Sequence, residues 1–193
     1  NIMRRILQSK GVEVIHLGHN RSAKDVVDAA ISEDAHAVAI SSYQGGHNEY
    51  FQYVRELLDQ NGGKNIRIFG GGGGVITLQE IKNLEKKGIT KIYHPKDGME
   101  LGLEGIIDDM IKKADHDTLE KFNIERILNI KSPSVIDMAR AITNIENGEL
   151  EWCSKLKLNS TQVLGITGTG GAGKSSLIDE VLLRFKLYFP NKK

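Results

Sequence analysis

Apolar residues along positions 1–114 switch repeatedly between helical and extended spacing. Ile2, Ile6 and Leu7 recur at helical intervals before Gly11 stops the pattern, and Glu13 to Leu17 then reads as a strand. Ser22-Ala23-Lys24-Asp25 is a capping-box signature for a helix with Val26, Val27, Ala30 and Ile31 on its inner face. Ala37-Val38-Ala39-Ile40-Ser41 is a continuous small-apolar run, expected of a strand buried on both faces. His47 to Gln60 is helix-like, with Phe51, Val54, Leu57 and Leu58 inward. Ile66 to Phe69 is another strand, running into five glycines, Gly70 to Gly74. Thr77 to Glu80 caps a helix carrying Ile81 and Leu84, which Gly88 stops. Lys91-Ile92-Tyr93 is a short last strand, and Met99 to Lys113 a last helix.

This alternation predicts an α/β fold, a flavodoxin-like (Rossmann-like) doubly wound parallel sheet over residues 1–114. Ligands of such sheets lie beyond the carboxyl ends of the strands. The unusual segments collect at that rim: Gly18-His19-Asn20, then Ser42 to His47, then the glycine run, then His94-Pro95. Residues 115–161 read differently, as a helical connector. In it Asp115-His116-Asp117 opens a polar helical stretch, and Pro133-Ser134 starts a helix running to about Asn147-Gly148. Residues 162–193 begin a second domain.

Composition changes this picture little. The 193 residues are 39% hydrophobic and 26% charged, as in ordinary globular chains. A net charge of +1 makes no electrostatic case for nucleic acid or anionic membrane. The single cysteine, Cys153, excludes an internal disulfide framework and suits a cytoplasmic setting. No apolar run approaches membrane-spanning length, and no His/Cys cluster has metal-ligand spacing. His47 reads as the start of a helix rather than a metal ligand.

Candidate chemistry begins with Gly168-Thr169-Gly170-Gly171-Ala172-Gly173-Lys174-Ser175, which fills the phosphate-loop pattern G-x-x-x-x-G-K-[ST]. Val163 to Thr167 reads as the strand before it, and Leu177, Ile178, Val181, Leu182 and Phe185 as the helix after it. Backbone N–H groups around Gly171, Ala172 and Gly173 would cradle a diphosphate, with Lys174 neutralising it and the Ser175 hydroxyl ligating Mg²⁺. Ser176 fits either an α-phosphate donor or a plain first-turn serine. The pattern starts within a helix at Asn1 and stops at Lys193 without a base-reading motif, which reads as a chain cut at both ends.

The five glycines sit between a strand and a capped helix, where a flexible linker is out of place. Their alternatives are an unusual bulge or a loop whose backbone must approach a bulky ligand. The strand-end position favours the ligand. Ser41-Ser42-Tyr43-Gln44-Gly45-Gly46-His47 brings small hydroxyl residues and two more glycines to the neighbouring strand end.

Here the chain resembles the cobalamin-binding domain of acyl-CoA mutases, over Glu13 to about Met110. That family carries D-x-H-x-x-G, then S-x-L, then G-G. Ser41-Ser42-Tyr43 is similar to the second element with Tyr for Leu, and Gly73-Gly74 to the third. Together with the phosphate loop, the wording resembles the fused isobutyryl-CoA mutase family, in which a cobalamin domain joins a GTPase chaperone domain and then a substrate barrel. The resemblance implies adenosylcobalamin held by Ser41, Ser42, Tyr43, Gly45 and Gly70 to Gly74, with His94 on the same rim. It also implies GTP and Mg²⁺ at Gly171 to Ser176, with the GTPase gating cofactor loading. The implied parent is a homodimeric isomerase that interconverts isobutyryl-CoA and butyryl-CoA by Co–C homolysis and radical rearrangement. Acyl-CoA would bind a barrel outside these residues, so no catalytic residue is expected here.

D-x-H-x-x-G does not occur, and His19 lacks the motif's Asp and Gly. By order, the motif and the first sheet strand belong before residue 1, which leaves the sheet without its central strand. The chain alone is therefore expected to be unstable or partly molten, and inactive. Two other readings stay open: a cobalamin carrier or GTPase metallochaperone without mutase chemistry, and a P-loop kinase with a flavodoxin-like domain.

Overall fold

The computed structural model describes residues 2–120, 122–129, 133–156 and 163–191. It divides into two compact units, Asn1–Leu156 and Lys157–Lys193. The junction expected at 161–162 lies outside the described residues.

The first unit is built on strands β1 (Ala37–Ser41), β2 (Arg67–Gly71) and β3 (Lys91–Tyr93). They pair in parallel in the order β1-β2-β3, with Ser41 opposite Gly71 and Gly71 opposite Tyr93. Successive side chains on a strand leave opposite faces, and here each face has its own core. Val38, Ile68 and Ile92 join helices α2 (Ala23–Ser32), α3 (His47–Gln60) and α4 (Leu78–Lys86) through Val27, Phe51, Leu58 and Leu84. Phe69 and Tyr93, their neighbours in sequence, pack on the other face against Ile106 and Met110 of α5 (Pro95–Ala114). Helix α1 (Ile2–Ser9) packs on α5. This is the doubly wound arrangement that the alternating pattern implies.

Several helix starts follow from the sequence. Ser22 and Thr77 cap α2 and α4 with complete capping boxes, their side chains accepting from the backbone N–H of Asp25 and Glu80. Helix α5 starts earlier than Met99 because His94 is itself a cap. Its side chain accepts from Lys96 N, Asp97 returns to His94 N, and Pro95 opens the first turn. Gly102 (φ 67°) then breaks α5 into two pieces.

Four expectations are corrected. Residues Glu13–Leu17 join no ladder: among the described residues none runs beside them, and an unpaired extended segment is not a strand. Strand β1 is not buried on both faces among the described residues: Val38 is buried while Ala39 and Ser41 are exposed, and no described strand flanks β1 opposite β2. Asp115-His116-Asp117 is not helical. There the Asp117 carboxylate takes Leu119 N, which competes with helical bonding, while the Thr118 hydroxyl donates to Asp34. Val163–Thr167 is not a strand.

Part of the connector packs on the sheet unit as an integral piece. After α6 (Glu125–Asn129), Ser134 caps α7 (Val135–Glu146), and Ile136 joins the α2–α3 core. Buried Arg140 of α7 reaches Asp34 Oδ1 at 3.3 Å and Asn65 Oδ1 at 2.9 Å. The second unit holds α8 (Lys174–Tyr188), whose apolar residues Leu177, Val181, Leu182 and Phe185 are all exposed. No helix among the described residues is long and apolar enough to cross a membrane.

Candidate functional site

The parallel register brings the ends of β1 and β2 side by side. Beyond Ser41 and Gly71 the two chains stay linked, as Ser42 N donates to Gly71 O at 2.8 Å. The loops Ser42–Gly46 and Gly72–Ile76 therefore leave the sheet together, at the end where ligands of this fold collect.

The glycines there do different things. A Cβ on Gly70 would lie 2.6 Å from the Phe51 ring, so its bareness lets α3 seat on the sheet. A Cβ on Gly72 would meet Ser42 O at 2.5 Å, so this glycine is what lets the two loops approach. At Gly73 (φ 57°) the Tyr43 ring occupies the space, 2.8 Å from where a Cβ would sit. Gly71 and Gly45 face open space instead: the nearest atom to a Gly71 Cβ is Tyr93 O at 3.9 Å, and Gly45 has none within 4 Å. Gly74 is nearly as open, with Pro95 Cγ at 3.6 Å.

Ser41 and Tyr43 are exposed on this rim, Tyr43 by 68%, and Ser42 is half-buried. His94 is on the rim as well, but its ring Nδ1 is engaged in capping α5. The structure thus groups Ser41, Ser42, Tyr43, Gly45 and Gly71 to Gly74 in one place. A bare backbone ledge roofed by an aromatic ring, with hydroxyls at its side, fits a bulky, amide-fringed ligand such as a corrinoid.

No cobalt ligand is identified among the described residues. His19 is an exposed bend residue, and the described residues contain no cluster of three His, Cys, Asp or Glu able to hold a metal. The one D-x-H triplet, Asp34-Ala35-His36, lies at the amino end of β1, away from the rim, with Asp34 buried against Thr118 and Arg140. A groove of about 400 Å³ lined by His16, Leu17, Arg21, Asp25 and Asp28 lies along α2.

Sequence reasoning missed the pair that joins the loops. His47, 7% exposed, opens α3 with its ring Nδ1 3.3 Å from Gln44 O and Nε2 3.2 Å from Glu80 Oε1. The Glu80 carboxyl is held far below its usual range, at about 2, chiefly by the backbone and hydroxyl of Thr77 and then by Asn48. The capping box at Thr77–Glu80 was readable; its link to a histidine 33 positions earlier has no local signature.

In the second unit Gly173 (φ 76°) precedes α8, and Lys174 Nζ turns back onto Gly168 O at 2.9 Å and Thr169 O at 2.7 Å. Ala172 N donates to Thr169 O at 3.3 Å, closing the turn, and Ser175 and Ser176 are exposed in the first helical turn.

The rim residues Ser41 to Gly74 fall within a segment shared with known proteins. Residues 1–91 match the B12 binding domain family. The chain is 52% identical, over 97% of its length, to the fused isobutyryl-CoA mutase of Cupriavidus metallidurans, and 48% identical over all of it to that of Geobacillus kaustophilus. It spans only 18% and 19% of those two proteins. It is also 30% identical, over 44% of its length, to the glutamate mutase sigma subunit of Clostridium tetanomorphum, covering 65% of that protein. Residues 1–91 thus match the B12 binding domain family, in a chain similar over nearly its whole length to part of the fused isobutyryl-CoA mutases.

Proposed function

We propose that this chain holds adenosylcobalamin on the rim formed by Ser41, Ser42, Tyr43 and Gly71 to Gly74, in the service of an acyl-CoA mutase that interconverts isobutyryl-CoA and butyryl-CoA. When bound, the cofactor supplies radical carbon-skeleton rearrangement. The residues here bind and orient it: the glycine ledge admits the ring system, and the serine hydroxyls offer donors and acceptors to its amide fringe. The observation that carries this reading is the adjacency of the two loop starts, fixed by the Ser42 N to Gly71 O bond at 2.8 Å. Acyl-CoA contacts lie with a barrel domain outside these residues, in a cytoplasmic homodimer.

The same reading gives Gly168 to Ser176 a GTP- and Mg²⁺-binding role that gates cofactor loading. Its support is the full phosphate-loop pattern followed by a helix that starts at Lys174, with the lysine free to exchange two loop carbonyls for phosphate oxygens. Ser175 is the Mg²⁺ ligand in this scheme.

Equilibrium dialysis against hydroxocobalamin tests the first part. One equivalent retained per chain is the expected result, and no retention overturns it. For the second part, fluorescent GDP with Mg²⁺ should bind the native chain and not Lys174→Ala; equal binding by both removes the loop from the account.

A further inference from the structure

We infer that His47 and Glu80 form a clamp that sets the spacing of the two rim loops, so that the ledge is formed before any ligand arrives. This positioning role rests on the cobalamin reading above. The two loops share a problem. Each leaves a strand end and carries glycines, and among the described residues the one backbone link between them at the rim is Ser42 N to Gly71 O. Glycine-rich segments lose the most freedom on ordering, so one hydrogen bond is little to hold two of them.

The clamp supplies the rest from the far side of each loop. Ser42–Gly46 runs directly into α3, whose first two residues are His47 and Asn48. Gly72–Ile76 runs directly into the capping box of α4, formed by Thr77 and Glu80. Asn48 Nδ2 donates to Glu80 Oε1 at 2.8 Å, and His47 Nε2 lies 3.2 Å from the same oxygen. The other carboxylate oxygen accepts from Thr77 N at 2.8 Å and Thr77 Oγ1 at 2.7 Å. One carboxylate thus grips the start of both helices. The opposite edge of the imidazole, Nδ1, faces Gln44 O inside the first loop at 3.3 Å.

The chemistry of these partners makes His47 specific. Gln44 O and an ionised Glu80 can only accept, so each ring nitrogen faces an acceptor. Nε2 is buried and makes no hydrogen bond; its approach to Glu80 Oε1 at 3.2 Å is an ion-pair distance that leaves the ring beside the carboxylate. A histidine kept merely for packing would not need one nitrogen beside a carbonyl of the first loop and the other beside a carboxylate in the first turn of α4.

Amide hydrogen exchange on the full chain without corrinoid tests the clamp separately from the cofactor. Ser42 N and Val75 N report the two loops, donating to Gly71 O at 2.8 Å and Gly72 O at 2.9 Å. In His47→Phe both should exchange at least about tenfold faster, the loss of one polar contact to each loop's anchor. His47→Gln, which keeps a donor toward Glu80, should restore much of the protection. Glu80→Ala covers the case in which His47→Phe fails to fold: a plain helix cap would loosen residues 77–80 alone, whereas the clamp predicts faster exchange at Ser42 as well. Hydroxocobalamin affinity should fall in the same order across these variants. Unchanged exchange at Ser42 in Glu80→Ala overturns the clamp and leaves the cobalamin reading standing. Faster exchange together with no corrinoid binding by the native chain overturns the cobalamin reading and confines the pair to loop order.

Discussion

The segments 70–74 and 168–173 are both glycine-rich, yet their surroundings differ. A Cβ at Gly70, Gly72 or Gly73 would come within 3 Å of Phe51, the Ser42 carbonyl or Tyr43. At Gly170, Gly171 and Gly173 it would meet nothing within 4 Å. Most of the first run is specified by the protein packed around it, whereas nothing in the fold fills the space beside these three glycines of the second. The helices that follow differ likewise: α4 buries Ile81 and Leu84, while α8 exposes its apolar residues. Two glycine loops can look alike in a sequence while only one of them is held by its own fold.

The largest test of that contrast lies where the connector joins the packed unit. Arg140→Met leaves Asp34 buried with only Thr118, and should cost on the order of 3 kcal/mol in urea unfolding. A negligible change would mean that α7 is an appendage. Next, Gly72→Ala drives a Cβ into a backbone carbonyl that cannot rotate away, for about 2–3 kcal/mol. Gly170→Ala should stay within about 0.5 kcal/mol. Equal costs at the two sites would erase the distinction.

How much of this was legible is best seen strand by strand. The helices of the sheet unit were readable because caps and apolar spacing are local, as at Ser22 and Thr77. The Glu13–Leu17 strand was misread because being a strand requires a neighbour, which alternation does not report. Ala39 looked buried for a similar reason: a small apolar run does not reveal that no described strand flanks β1 opposite β2. At the rim, residue types and strand-end position were enough to assemble Ser41 to Gly45 with Gly71 to Gly74. The division of labour within the glycines was not readable, because Phe51 and the Ser42 carbonyl are neighbours only in space. Long-range polar links, His47 to Glu80 and Asp34 to Arg140, were equally invisible.

Smaller effects sharpen the contrast further. Thr77→Ala removes a cap whose hydroxyl and backbone both serve Glu80, and should cost about 1 kcal/mol. Because the folded Glu80 carboxyl sits at about 2 against an ordinary 4.5, its contribution is fully present above pH 4.5 and is lost as pH falls toward 2. Glu80→Gln should flatten the acid limb of the stability curve over that window. In α8, Arg184→Ala breaks an exposed pair with Glu180 and should change stability by less than about 0.5 kcal/mol. A larger loss there would show that α8 is held more firmly than its exposure suggests.

The central claim is that the open ledge at Gly71 is where cobalamin approaches the backbone. Visible-absorbance titration with hydroxocobalamin, comparing the native chain with Gly71→Val, tests it most directly. A valine there fills open space at a strand end, so the urea midpoint should hold while affinity falls at least about tenfold, or about 1.4 kcal/mol. Equal affinity for the two proteins, with the fold intact in both, would contradict the account.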